Sequence, residues 1–167
     1  MVVFTENSSQ IKKIAYEIAK KVLKTLAVRT DPRALIVSLE GNLGSGKTTF
    51  VQGFARGLGI RQKVSSPTFV VLKRYAIPMR RKRGRTPFSP SLYHIDCYRL
   101  RNAREFAGLD FTSIMREPGA VALIEWGDRM RRALPKHALH IRFRHAKKNS
   151  RRIYIPGPLT EKKYFAL

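Results

Sequence analysis

The hydrophobic positions along the chain follow two periods in turn, which predicts that helices alternate with strands. From Ser8 to Leu26, apolar residues recur at helical spacing behind an N-cap candidate, so a helix is predicted there. A short β-branched run over 34–40 predicts a buried strand. A glycine-rich turn and a helix follow it, and later runs extend the pattern. These segments are a turn over 41–46, a helix over 48–56, strands over 68–75, 91–96 and 120–125, and a helix over 101–115 with a break near Gly108.

The last part of the chain predicts two further strands. Leu139, Ile141 and Phe143 alternate with polar residues, as do Ile153 and Ile155. The strands at 68–75 and 91–96 are close enough in sequence to pair as a long hairpin. Strands that alternate with helices predict an α/β fold. We therefore expect a mostly parallel sheet with one antiparallel hairpin, flanked by helices.

Length and composition bound the class of protein. The 167 residues, 43% of them hydrophobic, suit one domain over 1–167 with a real core. Lys and Arg number 34 against 11 Asp and Glu, so the formal net charge is +23 and polyanions are attracted. The single cysteine excludes an internal disulfide, and no signal peptide or membrane-spanning run is apparent, so we expect a cytoplasmic protein. Five basic residues within 80–85 predict an exposed loop insertion around 78–90.

One segment fits a nucleotide-binding motif at every position. Residues 41–48 match G-x-x-x-x-G-K-[ST], between a predicted strand and a predicted helix as the motif requires. Glycines let backbone N–H groups face phosphate oxygens, and the helix N-terminus attracts the same anion. Lys47 would reach the β and γ phosphates, and the Thr48 hydroxyl would bind Mg²⁺. The predicted P-loop contributes Gly41, Asn42, Leu43, Gly44, Ser45, Gly46, Lys47, Thr48 and Thr49 to nucleotide binding.

Such a site needs a carboxylate at the end of a neighbouring strand. No Asp or Glu occurs between residues 41 and 95, whereas Asp96 and Glu125 each end an apolar strand. Ligands of open α/β sheets bind at the carboxyl ends of strands. We therefore assign Asp96 and Glu125 to Mg²⁺ and its water shell, and with Lys47 they are the catalytic candidates. The sequence leaves open which carboxylate binds Mg²⁺ directly, and whether either is a capping or salt-bridge residue.

Together, these segments resemble the bacterial TsaE family, the ATPase of tRNA threonylcarbamoyladenosine biosynthesis. Besides the P-loop, the resemblance rests on S-P-T-F at 66–69, Y-H-I-D-C-Y-R-L at 93–100 and I-E-W at 124–126. It extends from about Ser8 to Ile155. It departs from the family at Asn42, where Asp is usual, at Cys97, where Leu is usual, and in the basic insertion.

The resemblance implies a P-loop NTPase-like fold that binds Mg-ATP and hydrolyses it slowly. In this family the partners are TsaD and TsaB, which attach a threonylcarbamoyl group to the adenosine beside the anticodon of ANN-decoding tRNAs. The resemblance also implies a metal-site role for Glu125 and an ATPase role for Asp96. The remaining matches are a switch-like role for Thr68, a nucleotide-proximal Arg151, and Trp126, which follows the acidic residue as in the family. Ser66, near the P-loop, either shares the switch role or belongs to a simple turn. Trp126 either supports the site or a partner, or is buried against the sheet end.

The basic excess leaves its own question open. Residues 129–152 carry ten Lys or Arg and no acid. They could contact tRNA phosphates without reading sequence, or reflect a general compositional bias. Two other functions also stay open: a small P-loop kinase of a nucleoside or metabolite, and a basic RNA-binding module whose P-loop only senses nucleotide.

Overall fold

The computed structural model describes residues 1–26, 33–78, 90–147 and 150–160. Within these residues seven strands form one sheet, and four α-helices and two 3-10 helices accompany it. The strands are β1 (Val2–Thr5), β2 (Leu35–Glu40), β3 (Leu72–Ala76), β4 (Ser91–Asp96), β5 (Val121–Glu125), β6 (Leu139–His145) and β7 (Arg151–Tyr154). The helices are α1 (Ser8–Leu26), α2 (Lys47–Gly57), α3 (Ala103–Ala107) and α4 (Phe111–Arg116), with 3-10 turns at Gly127–Met130 and Gly157–Leu159.

The strand order places the ends of β2, β4 and β5 side by side. Across the sheet the order is β1-β7-β6-β2-β5-β4-β3. The four strands β6, β2, β5 and β4 are mutually parallel, whereas β3, β7 and β1 are joined on by antiparallel ladders. The predicted fold class is confirmed, including the antiparallel β3–β4 hairpin. Asp96 pairs with Glu125 in register, so the two carboxylates lie on adjacent strand ends.

Two hydrophobic cores cover the two faces of the sheet. Helices α1 and α2 pack on one face, against Val37, Leu123 and Ile141. The short helices α3 and α4 and the residues after β5 pack on the other face, against Ile36, Ile95 and Ile124. No helix in the described part of the chain is long and apolar enough to cross a membrane.

The predicted helices occur as expected, including the break between α3 and α4. The strand predicted over 68–75 is wrong in its first half, because β3 begins only at Leu72. The Pro67 carbonyl accepts bonds from the N–H groups of Val70 and Val71, and Val71 has a φ of 64°, so the chain turns here. Phe69 and Val70 are 83% and 61% exposed, so they bury no strand face.

Two further differences concern the edges. Strand β1 was not predicted. It has only four residues, which pair with β7 at the edge of the sheet. One of the four is buried, so burial leaves little pattern in the sequence of this strand. The basic insertion around 78–90 lies outside the described residues, apart from Pro78 and Pro90 at its ends.

Candidate active site

The glycine-rich loop, residues 41–46, connects the end of β2 to the start of α2. Gly41 and Gly46 have φ values of 143° and 106°, which side-chain-bearing residues rarely adopt. A Cβ at Gly41 would overlap the carbonyl oxygen of Phe143, and one at Gly46 would lie 2.7 Å from the Ile11 side chain. Gly41 is therefore required for conformation and for space, and Gly46 for conformation.

Lys47 lies inside the curve of this loop. Its Nζ donates to the carbonyl oxygens of Gly41 at 2.6 Å and Asn42 at 3.0 Å, and it lies 3.8 Å from the centre of the Trp126 ring. The side chain is almost fully buried. Burial lowers the pKa of Lys47, and the nearby carboxylates of Glu125, Asp128 and Asp96 oppose that change. The ammonium group is therefore poorly hydrated and close to acidic groups.

The outer side of the loop is tied to the β6–β7 hairpin. The Arg151 Nη2 donates to the Gly44 carbonyl at 3.1 Å, and the His145 ring contacts the Leu43 carbonyl at 3.2 Å. The Leu43 side chain itself is 75% exposed. Arg151, predicted to be near a nucleotide, thus touches the glycine-rich loop.

The start of α2 fits an anion. Its N-cap residue is Gly46, so no side chain caps the first turn, and the first N–H groups of a helix have no intrahelical acceptor. The Ser45 hydroxyl is buried and has no hydrogen-bond partner among the described residues. These donors surround the concave loop that Lys47 enters, and Thr49 is half-buried in the same first turn of α2. The loop therefore has the donor set that phosphate oxygens require.

Thr48 and Glu125 form the next layer of the site. The Thr48 hydroxyl donates to the Glu125 Oε2 at 2.8 Å, and the other carboxylate oxygen is 2.7 Å from the His94 Nε2. Glu125 and His94 are both buried, and the His94 Nδ1 has no partner in the described part of the chain. A hydroxyl beside a carboxylate supplies the oxygen ligands that Mg²⁺ prefers. The contact of His94 with Glu125 makes it a positioning residue for that carboxylate.

Asp96 organises the segment that the strand prediction misassigned. Its Oδ2 accepts from the hydroxyls of Ser66 at 2.8 Å and Thr68 at 2.6 Å, and its Oδ1 accepts from the Tyr98 N–H at 2.9 Å. The predicted switch residues therefore reach the predicted ATPase aspartate.

Burial and Asp96 together raise the pKa of the adjacent Cys97 thiol to about 12, so this thiol is neutral and unsuited to be a nucleophile.

Trp126 follows β5 and covers the ammonium of Lys47. Its backbone has a φ of 58°, its N–H donates to the Leu39 carbonyl at 3.0 Å, and its ring lies 5.1 Å from that of Tyr98. A Trp face beside a desolvated ammonium is attractive. This geometry gives Trp126 a role in placing Lys47.

Sequence reasoning overlooked a third carboxylate at a strand end. Glu40 ends β2, and it accepts hydrogen bonds from Arg131 and Arg142 and contacts the His140 ring at 2.6 Å. Burial raises its pKa, but the hydrogen bonds and charges of His140 and Arg131 outweigh burial and lower it overall. The sequence did contain a signal for Glu40. It ends a predicted apolar strand, which is the criterion by which Asp96 and Glu125 were chosen.

Most of the predicted site residues therefore lie together at the carboxyl ends of the parallel strands β2, β4 and β5. The glycine-rich loop, Lys47, Thr48, Glu125 and Trp126 are joined by direct contacts, and Arg151 contacts the loop from outside. Asp96 with Ser66 and Thr68 forms a second group, on the strand next to Glu125.

Comparison with known proteins identifies the family that the chain resembles. A family model described as threonylcarbamoyl adenosine biosynthesis protein TsaE matches residues 5–153. The chain is 30% identical to the crystal structure of YdiB from Bacillus subtilis, with a TM-score of 0.62 over 92% of this chain and 82% of the other.

Two curated proteins show the same similarity at the sequence level. The tRNA threonylcarbamoyladenosine biosynthesis protein TsaE of Bacillus subtilis is 39% identical over 137 residues, which cover 82% of this chain and 78% of the relative. The TsaE protein of Treponema pallidum is 37% identical, over 72% of this chain and 80% of the relative. The resemblance expected from the motifs is confirmed over residues 5–153. The chain belongs to the TsaE family of tRNA threonylcarbamoyladenosine biosynthesis proteins.

Proposed function

We propose that the chain binds and slowly hydrolyses Mg-ATP as a subunit of threonylcarbamoyl modification of tRNA in the cytoplasm. One observation carries the proposal: Lys47 and Thr48 open α2 at a glycine-rich loop, and Thr48 donates to Glu125 on the adjoining strand end. A phosphate cradle, a buried cation and a hydroxyl–carboxylate pair in one place suit phosphoryl transfer from a nucleoside triphosphate.

Each residue has a defined task in this proposal. The loop N–H groups and Lys47 bind the β and γ phosphates. As water attacks the γ phosphorus, its bond to the β–γ bridging oxygen breaks, and Lys47 neutralises the charge that the bridging and γ oxygens carry as ADP and phosphate form. Thr48 and Glu125 would hold Mg²⁺, which supplies charge neutralisation between the phosphates. His94 fixes the Glu125 carboxylate by its 2.7 Å contact. Asp96 acts through Ser66 and Thr68, whose hydroxyls it holds beside the site.

Partner dependence follows from the exposed rim of the site. Leu43, Phe69 and Val70 present large apolar surfaces to solvent near the glycine-rich loop and the Asp96 group. Phe69 and Val70 are adjacent and exposed together, as apolar groups are on a surface that another protein covers. We propose that TsaD and TsaB homologues supply this cover and complete the site.

The test is ATP hydrolysis by the purified chain, alone and with TsaD and TsaB from the same source. We expect slow basal turnover that rises with the pair and falls at least about 100-fold in Lys47→Ala, since a charge on the transferred group loses its partner. Lys136→Ala, at an exposed lysine elsewhere, is the matched control and should hydrolyse ATP normally. Normal turnover in Lys47→Ala would contradict the site assignment. Strong stimulation of ADP release by a small-molecule acceptor would instead favour a kinase.

A further inference from the structure

A basic groove lies on the α1–α2 face of the molecule, between the first half of α1 and the second half of α2, and none of residues 41–46 lines it. Three walls enclose about 930 Å³: α1, α2 and the segment 60–64 that follows α2. Its basic side chains are Lys12, Lys13, Arg56, Arg61 and Lys63. The groove plays no part in the proposed hydrolysis of ATP.

The groove has a fixed shape. Gly53 of α2 packs so closely on α1 that a Cβ there would overlap the Lys12 backbone. The Gln52 amide donates to the Val64 carbonyl at 3.1 Å, and the Ile60 N–H donates to the Ala55 carbonyl at 3.0 Å. These bonds join the third wall to α2, so the basic side chains project from a rigid frame.

The charges in the groove are uncompensated. All five basic side chains are exposed, and none makes an ion pair or side-chain hydrogen bond within the ranges that the structure describes. Glu17 is the one acid among the described lining residues. Like charges gathered in a concavity repel one another and raise the local concentration of anions.

The other basic region behaves differently. In residues 129–152, Arg131 and Arg142 pair with Glu40, while Arg129 and Arg151 donate to backbone carbonyls. Arg144 and Arg152 lie against the rings of Tyr154 and Phe4. Much of the charge there is therefore engaged within the protein, and the α1–α2 groove is the better anion site.

We propose that this groove binds the phosphate backbone of RNA. Five cations exceed what one phosphate group needs, and an open groove admits an extended chain of phosphates. Ser9, Gln52 and Tyr16 add the neutral donors that commonly contact phosphates and sugars. The choice of tRNA as the RNA rests on the proposed function, whereas the charge of the groove does not.

The experiment measures binding of a fluorescein-labelled, unmodified ANN-decoding tRNA transcript by anisotropy across a salt series. The groove variant is Lys12→Gln/Arg56→Gln/Lys63→Gln, with one change in each wall. The matched control is Arg132→Gln/Lys136→Gln/Lys147→Gln, which removes the same charge from exposed residues of 129–152. Melting temperature and basal ATP hydrolysis of each variant, both expected to match wild type, report folding and the nucleotide site separately.

We expect the groove variant to bind tRNA about 10-fold more weakly, with the salt slope of log K reduced in magnitude by about two. The control should stay within about threefold of wild type. Unchanged affinity and slope in the groove variant would overturn the proposal, as would equal weakening in both variants, because net charge alone would then explain binding. Loss of TsaD–TsaB association with unchanged tRNA affinity would assign the groove to an acidic protein and also overturn it. Absent ATP hydrolysis with groove-dependent tRNA binding would refute only the proposed function.

Discussion

Two buried glutamates end neighbouring parallel strands, and they have opposite surroundings. Leu39 pairs with Glu125 across β2 and β5, so Glu40 lies one residue beyond that pair. Glu40 is surrounded by two arginines and a histidine. Glu125 contacts the Thr48 hydroxyl and the His94 ring. One carboxylate is paired with cations of its own chain, and the other is held by a hydroxyl and a histidine ring beside the glycine-rich loop.

The difference arises from the alternation of side chains along a strand. Glu125 has the parity of Val121 and Leu123, which face α1 and α2, so it lies beneath the start of α2. Glu40 has the parity of Ile36, which faces the opposite core. A carboxylate at a strand end therefore reaches the glycine-rich loop only if it lies on the face of the sheet that carries α2.

The largest effect expected from this comparison is a loss of ATP hydrolysis in the Glu125→Gln variant. The amide keeps the shape of the side chain but removes the charge that a divalent cation needs, so kcat should fall by about 100-fold or more. The melting temperature should stay close to that of wild type. Steady-state ATP hydrolysis and thermal melting measure the two quantities. Turnover within threefold of wild type would remove Glu125 from the metal site.

A smaller effect is expected in Asp96→Asn, because Asp96 acts through two hydroxyls. An amide cannot accept from Ser66 and Thr68 as strongly as a carboxylate, so the segment 65–71 loses its main attachment. We expect kcat to fall about 10- to 100-fold while the Kd for ATP changes only a few-fold. Fluorescent-nucleotide titration and hydrolysis assays separate the two. Equal losses in both would indicate a folding role.

This segment also shows where sequence reasoning fails. The run from Thr68 to Val71 has strand composition, and its β-branched residues predicted a strand. Hydrogen bonds to Asp96, 28 and 30 residues away in sequence, hold Ser66 and Thr68 in a turn instead. A local pattern carries no information on such a distant partner. The strands with continuous apolar runs, such as β2, β4 and β5, were predictable because burial on both faces leaves a local signature.

The candidate site was predictable where a motif fixes it. The glycine-rich loop, Lys47 and Thr48 follow from their spacing alone, since backbone conformation requires the glycines. The face of each strand-end carboxylate did not follow, because β2 and β5 are buried on both sides and show no alternation of polar and apolar residues. Glu40 and Glu125 therefore look equivalent in sequence. Only the packing of α2 on one face distinguishes them.

Glu40→Gln should alter stability and leave hydrolysis nearly intact. Glutamine keeps one acceptor oxygen but removes the negative charge, so Arg131 and Arg142 lose their charged partner; both are more than half exposed and return to water. We expect a loss of about 1 to 2 kcal/mol in the free energy of unfolding, and turnover within about threefold of wild type. Urea denaturation measures the first quantity. Glu17→Gln, at an exposed glutamate without a described partner, is the control and should change stability little.

The smallest expected effect is the pH dependence of the stability that Glu40→Gln loses. The pKa of Glu40 lies below its ordinary value of 4.5 in the folded protein, so the folded state binds its proton less readily than the unfolded chain. The stabilisation is therefore complete above about pH 4.5 and disappears as the pH falls through the folded pKa. The stability difference between wild type and Glu40→Gln should be present above about pH 4.5 and shrink as the pH falls below that value. Urea denaturation at several pH values tests this. A difference that stays constant into the acid range would show that Glu40 stabilises by shape rather than by charge, and its contrast with Glu125 would then lie in packing alone.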